Sequence, residues 1–228
     1  MIQEHSEDMF NDLAQVSPHI ALHREHFRHA PKNWQDTLAK SLVRMVAATG
    51  DLLFQERYGH RAVVLETIAS VPGIIGGMFQ HLKSLRFIRD DHGWIKTLLD
   101  EAENERMHLI IYSGIARPIM IERIAIIIVQ FFFSIFYFIL YALSSRTAHR
   151  VVGYLEEEAI HSYEHYLRLV HAGKHENIPA TPLAKEYWHL PPHARLTDMI
   201  EATIIDEMAH RDVNHKFSED RRGTRMWY

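Results

Sequence analysis

Asn104-Glu105-Arg106-Met107-His108 sets a glutamate and a histidine three residues apart. On a helix that spacing is about one turn, so both side chains leave the same face. The pair returns at Glu207 and His210, inside Asp206-Glu207-Met208-Ala209-His210. Each pair offers a hard oxygen donor and an imidazole, the donors a carboxylate-bridged pair of metal ions takes from a helical bundle. Such a site needs one more glutamate from each of two further helices. Glu66, in Val64-Leu65-Glu66-Thr67, and Glu156, in Leu155-Glu156-Glu157-Glu158-Ala159, stand at the required places in the order.

The sequence therefore reads Glu66, Glu105/His108, Glu156, Glu207/His210. That is the ligand order of a ferritin-like four-helix bundle, with two antiparallel helix pairs joined by a crossover. A single Glu-x-x-His is common by chance; two of them in register with two lone glutamates are specific. Glu66 alone reads as a surface residue, because a carboxylate among apolar neighbours is costly to bury unless paired or metal-bound. Of Glu156, Glu157 and Glu158, three adjacent side chains on a helix, at most two can face a core. Four glutamates and two imidazoles suit iron or manganese better than zinc, which prefers four ligands.

Composition narrows the class. The chain has 228 residues, 47% of them hydrophobic, enough for a sizeable core. A net charge of −4, without a basic tail, argues against a nucleic-acid partner. There is no cysteine, which removes disulfides, thiolate metal sites and thiol switches and leaves any metal to His and carboxylate. The acidic, polar stretch from Met1 to Asp12 is neither a signal peptide nor a transit peptide, so the expectation is a chain in the compartment of its synthesis or one already trimmed.

Residues 1–32 read as an N-terminal arm holding His5, His19, His23, His26 and His29; a metal-binding His tract is the sharper alternative. Trp34 to about Ala48 reads as an amphipathic helix ending at Gly50-Asp51, and Arg61 to Arg86 as a second, weakened by Pro72, Gly73, Gly76 and Gly77. Trp94 to about Ile115 is a third, closed by Pro118. Ile119 to Arg150 reads as one long apolar helix, Val151 to His171 as the next, and Leu196 to about Phe217 as the last, with residues 218–228 a charged tail. The region 33–217 is thus one expected helical domain.

Ile124 to Ser145 carries no charged residue, a run long enough to span a bilayer. One crossing, however, would put Glu105/His108 and Glu156/Glu207/His210 on opposite sides of the membrane. A return crossing could only use the region around Ala62 to Phe79, which holds Glu66. The expectation is a monotopic arrangement, with two surface helices lying on or partly in one leaflet.

These blocks resemble the alternative oxidases, cyanide-resistant di-iron ubiquinol oxidases of branched respiratory chains. Ala148-His149-Arg150, Tyr187-Trp188 and Arg211-Asp212-Val213-Asn214-His215 add to the likeness, which runs from about Trp34 to Phe217. The resemblance implies a membrane-bound homodimer that oxidises ubiquinol, reduces O2 to water and pumps no protons. It implies two iron ions held by Glu66, Glu105, His108, Glu156, Glu207 and His210. Tyr163 matches a tyrosine near the irons that is implicated in electron and proton transfer. Asn104, His149 and Asp206 match hydrogen-bonding positions behind the ligands, and Arg61, Leu65, Glu158, Ala159 and Ser162 match a quinol pocket, with Arg44 a further pocket arginine. The missing leader points to the cytoplasmic face of a bacterial inner membrane over the matrix face of the mitochondrial one. A membrane-associated di-iron hydroxylase or desaturase shares the ligand set, and a ferritin-type iron-binding protein is the non-enzymatic alternative. The apolar run speaks against the last.

Overall fold

The computed structural model describes residues 28–54 and 58–220. They form seven helices: α1 (Trp34–Phe54), α2 (Tyr58–Phe87), α3 (Trp94–Ala116), α4 (Met120–Leu143), α5 (Ser145–His171), α6 (Pro182–Tyr187) and α7 (Leu196–Glu219). No strand occurs among the described residues, so the expected all-helical class holds. His5, His19, His23 and His26 of the arm, and 221–228 of the tail, lie outside the described residues.

Three boundaries differ from the sequence reading. The helix at Trp34 does not stop at Gly50-Asp51 but continues to Phe54. The single apolar helix expected over Ile119 to Arg150 is two helices. Ser144 is extended (φ −158°, ψ 91°), its N–H caps the end of α4 on the Leu140 carbonyl, and its Oγ accepts from Thr147 N–H at 3.2 Å to start α5. Between His171 and Leu196, where the sequence reading assigns no helix, lies α6, opened by Thr181 Oγ1 accepting from Ala184 N–H and by Pro182 in the first turn.

Two compact units divide the chain. The larger holds 31–155 and 210–228. In it α2 and α3 run antiparallel: Gly73 faces Leu98 and Ala102, while Glu66 faces His108. A Cβ on Gly73 would sit 2.3 Å from the Leu98 carbonyl oxygen, so only glycine allows this approach. α4 runs parallel to α2, with Gln130 on the Thr67 carbonyl at one level and Gln80 on the Tyr141 hydroxyl at another. Pro118 and the left-handed Arg117 close α3 as expected. Buried packing comes from Tyr137, Tyr141, Ala148 and Val152, from Ala39, Val43, Val151 and Tyr154, and from Trp94 stacked on Phe217 beside Leu98.

α2, from Gly59, and α4 are both long and apolar enough to cross a membrane. They differ in burial. Half of the α2 stretch is covered by protein, whereas α4 exposes Ile121, Ile127, Phe131, Phe132 and Leu143 along its length. Such an uncovered apolar face needs an apolar environment.

The smaller unit holds 156–209, together with 28–30 among the described residues. The His29 backbone N–H donates to Glu157 Oε1 there. Ile178 to Leu196 is tied by Ala180 N–H on Ala194 O and Leu196 N–H on Ile178 O, and Asp198 accepts from Arg195 N–H at the start of α7.

Candidate metal centre

α2, α3 and α7 bring four of the six proposed ligands together inside the larger unit. Glu66, Glu105, His108 and His210 are all buried. His108 Nδ1 lies 3.4 Å from Glu66 Oε2 and 3.7 Å from Glu105 Oε2. His210 Nδ1 lies 2.7 Å from Glu105 Oε1. Ligand atoms of Glu66, Glu105 and His108 all fall within 4.8 Å of one another, the spread one cation can bridge. The surface alternative for Glu66 is therefore wrong: it is 1% exposed, its carboxylate turned to His108.

Glu105 sits at the centre of this knot. Burial pushes its carboxyl up, but the opposing charge of His210 and hydrogen bonds from His108, His210 and Glu66 outweigh burial. Its pKa lies well below the ordinary carboxylate value. Two carboxylates and two imidazoles out of water are costly without a compensating charge. The donor set is hard, thiol-free and suited to iron; a metal fits it.

In the smaller unit Glu156 on α5 and Glu207 on α7 are each 1% exposed. Glu207 stands one turn before His210 on the same helix. Glu157 is buried too, so two of the three adjacent glutamates turn inward and Glu158 is half-buried. Tyr163, two turns after Glu156 on α5, is buried, as are Ala159 and Ser162. Asp206 accepts from Trp188 Nε1 at 2.8 Å.

The other sequence-matched positions lie on α1, α2, α3 and α5. Arg61 is buried on α2, Leu65 half-buried beside Glu66, Asn104 half-buried next to Glu105, and Arg44 exposed on α1. His149 is fully buried; its Nε2 meets the Tyr141 hydroxyl at 3.0 Å and its Nδ1 meets Asn214 Oδ1 at 2.9 Å. Burial lowers its pKa to about 4 against the opposing hydrogen bond that Nδ1–H donates to Asn214 Oδ1, so the imidazole is neutral. Sequence reasoning missed Glu101, which receives the Asn214 amide on both oxygens. The signal was its position four residues before Glu105, on the same helical face.

The family model described as "Alternative oxidase" matches residues 19–219. Over 192 residues the chain is 51% identical to "Ubiquinol oxidase 2, mitochondrial" of Glycine max, covering 84% of this chain and 57% of that one. It is 50% identical to "Ubiquinol oxidase, mitochondrial" of Mangifera indica, covering 84% and 60%. A fungal relative from Batrachochytrium dendrobatidis, also named "Ubiquinol oxidase, mitochondrial", is 46% identical over 207 residues, 91% and 64% of the two chains. The chain spans about three-fifths of the length of these curated relatives. Their names overturn the expected bacterial inner membrane. That expectation leaned on the composition of the first twelve residues, and in a chain shorter than its relatives they carry no information on targeting.

Proposed function

The chain belongs to the alternative oxidase family, and on that premise we propose that it is a terminal quinol oxidase of the mitochondrial inner membrane. Two ubiquinol molecules would be oxidised for each O2 reduced to two waters. The observation that carries the reading is the buried Glu66–Glu105–His108–His210 knot, on a chain that also presents the uncovered apolar helix α4.

Glu66, Glu105, His108, Glu156, Glu207 and His210 would hold two iron ions. When bound, the irons would supply the redox chemistry that passes four electrons from quinol to oxygen. The protein's own groups do the rest. Asp206, fixed by the Trp188 indole, and Asn104 flank Glu207 and Glu105 in sequence and orient the helix faces that carry them. Tyr163, two turns after Glu156 on α5, would hold a proton on its buried hydroxyl. On the family premise Arg44, Arg61, Leu65, Glu158, Ala159 and Ser162 would bind quinol, with Arg61, Glu158 and Ser162 supplying the polar groups that a quinol hydroxyl needs.

We place α4, with the apolar side of α1, on one leaflet of the membrane, so that a lipid-soluble quinol reaches the site without crossing water. α1 supports this with Trp34, Leu38 and Met45 exposed. A homodimer follows from the family premise.

Oxygen uptake by membranes containing the chain, supplied with ubiquinol-1 and cyanide, tests the function. Cyanide-resistant uptake at two quinols per oxygen supports it. Quinol-independent uptake that yields oxygenated or desaturated lipid would replace it with a hydroxylase or desaturase.

A further inference from the structure

One buried polar chain ties five helices of the larger unit together, one turn away from the Glu105–His210 contact. Gln80 Nε2 on α2 donates to the Tyr141 hydroxyl on α4 at 3.0 Å. Tyr141 meets His149 Nε2 on α5 at 3.0 Å, and His149 Nδ1 meets Asn214 Oδ1 on α7 at 2.9 Å. Asn214 Nδ2 donates to both carboxylate oxygens of Glu101 on α3, at 3.0 and 2.9 Å, and to the His210 carbonyl at 3.0 Å. All five side chains are buried.

The direction of each bond is fixed. Three acceptors surround Asn214 Nδ2, so that atom is the NH2 group and Oδ1 faces His149. His149 therefore carries its hydrogen on Nδ1 and leaves Nε2 bare, and Nε2 accepts from the Tyr141 hydroxyl. The Tyr141 oxygen in turn accepts from Gln80. The chain ends on a carboxylate, which polarises each step toward Glu101.

Its position is the informative part. Glu101 lies four residues before Glu105 on α3, and Asn214 lies four residues after His210 on α7. Each is one turn from a ligand on the same helical face. We propose that Glu101 and Asn214 are positioning residues: their hydrogen bond sets the register of α3 against α7, so that Glu105 and His210 face one another. Tyr141 and His149 hold the Asn214 amide in the one orientation that can do this. The inference rests on the reading of Glu105 and His210 as metal ligands. Sequence alone hides it, because Glu101 sits in a run with Asp100 and Glu103, both exposed.

The test reverses the bond. Asn214→Asp sets two carboxylates against each other. Adding Glu101→Gln restores a donor, now from position 101, keeps the wild-type net charge and still leaves His149 an acceptor at 214. Iron release from the full-length protein to a chelator should be about tenfold faster or more in Asn214→Asp, the usual cost of losing a group behind a ligand, and within about threefold of wild type in the double variant. Melting of the iron-depleted proteins should follow the same order, lowered by Asn214→Asp and recovered by the pair. Wild-type iron retention in Asn214→Asp, or a double variant no better than the single, would overturn the proposal. If wild type takes up no iron, the metal reading of the site fails, and the melting series still decides the register clamp.

Discussion

His210 Nδ1 lies 2.7 Å from Glu105 Oε1, joining the last long helix to the third at the buried centre. With no metal, the imidazole charge acts as the cation that holds the Glu105 carboxylate ionised. A metal must displace that proton, because imidazole ligates only in its neutral form. Iron affinity should therefore fall as pH is lowered from 8 to 6, with protons released on binding. Equal affinity at both pH values and no proton release would show that His210 does not ligate.

His149 gives a second pH dependence. Its folded pKa is about 4 against an ordinary 6.5, so the unfolded chain binds more protons between those values. Its contribution is fully present above pH 6.5 and is lost as pH falls toward 4. The shift corresponds to about 3 kcal/mol. Melting of the solubilised protein between pH 7.5 and 5 should drop more steeply in wild type than in His149→Gln; parallel curves would contradict a neutral buried imidazole.

Gly153 and Gly114 should respond oppositely to alanine. A Cβ at 153 would sit 2.5 Å from the His215 ring, which Arg150 Nη1 holds at 2.8 Å. Gly153→Ala should cost about 1–3 kcal/mol by overpacking. Gly114 has open space beyond its Cα and lies inside α3, so Gly114→Ala should gain about 0.5–1 kcal/mol. Thermal melts of both variants check the pair, and destabilisation by Gly114→Ala would contradict it.

The lie of α4 can be read by labelling, because the chain has no cysteine of its own. Ile121→Cys and Leu143→Cys mark the two ends of the helix, both exposed. On a helix lying in one leaflet, an impermeant thiol reagent added to one side of sealed vesicles labels both ends together. Labelling from opposite sides would establish a crossing.

Much of this was legible in sequence. The Glu-x-x-His spacing places Glu105 with His108 and Glu207 with His210 by helix geometry alone, and burial of all four follows. Hydropathy misled at Ser144, where one hydroxyl capping Thr147 splits an apolar run that reads as continuous. Propensity misled in the other direction at Gly50-Asp51, where weak helix formers do not stop α1. Glu101 was invisible because its charge matches its exposed neighbours, and the Asn214 amide that bonds both its oxygens is contributed from far along the chain.

Iron content of the purified full-length chain is the most direct measurement. Wild type should hold two irons per chain, Glu105→Ala and His210→Ala should hold essentially none, and Glu157→Ala should keep both. Two irons retained in Glu105→Ala would show that the buried knot is not the metal centre.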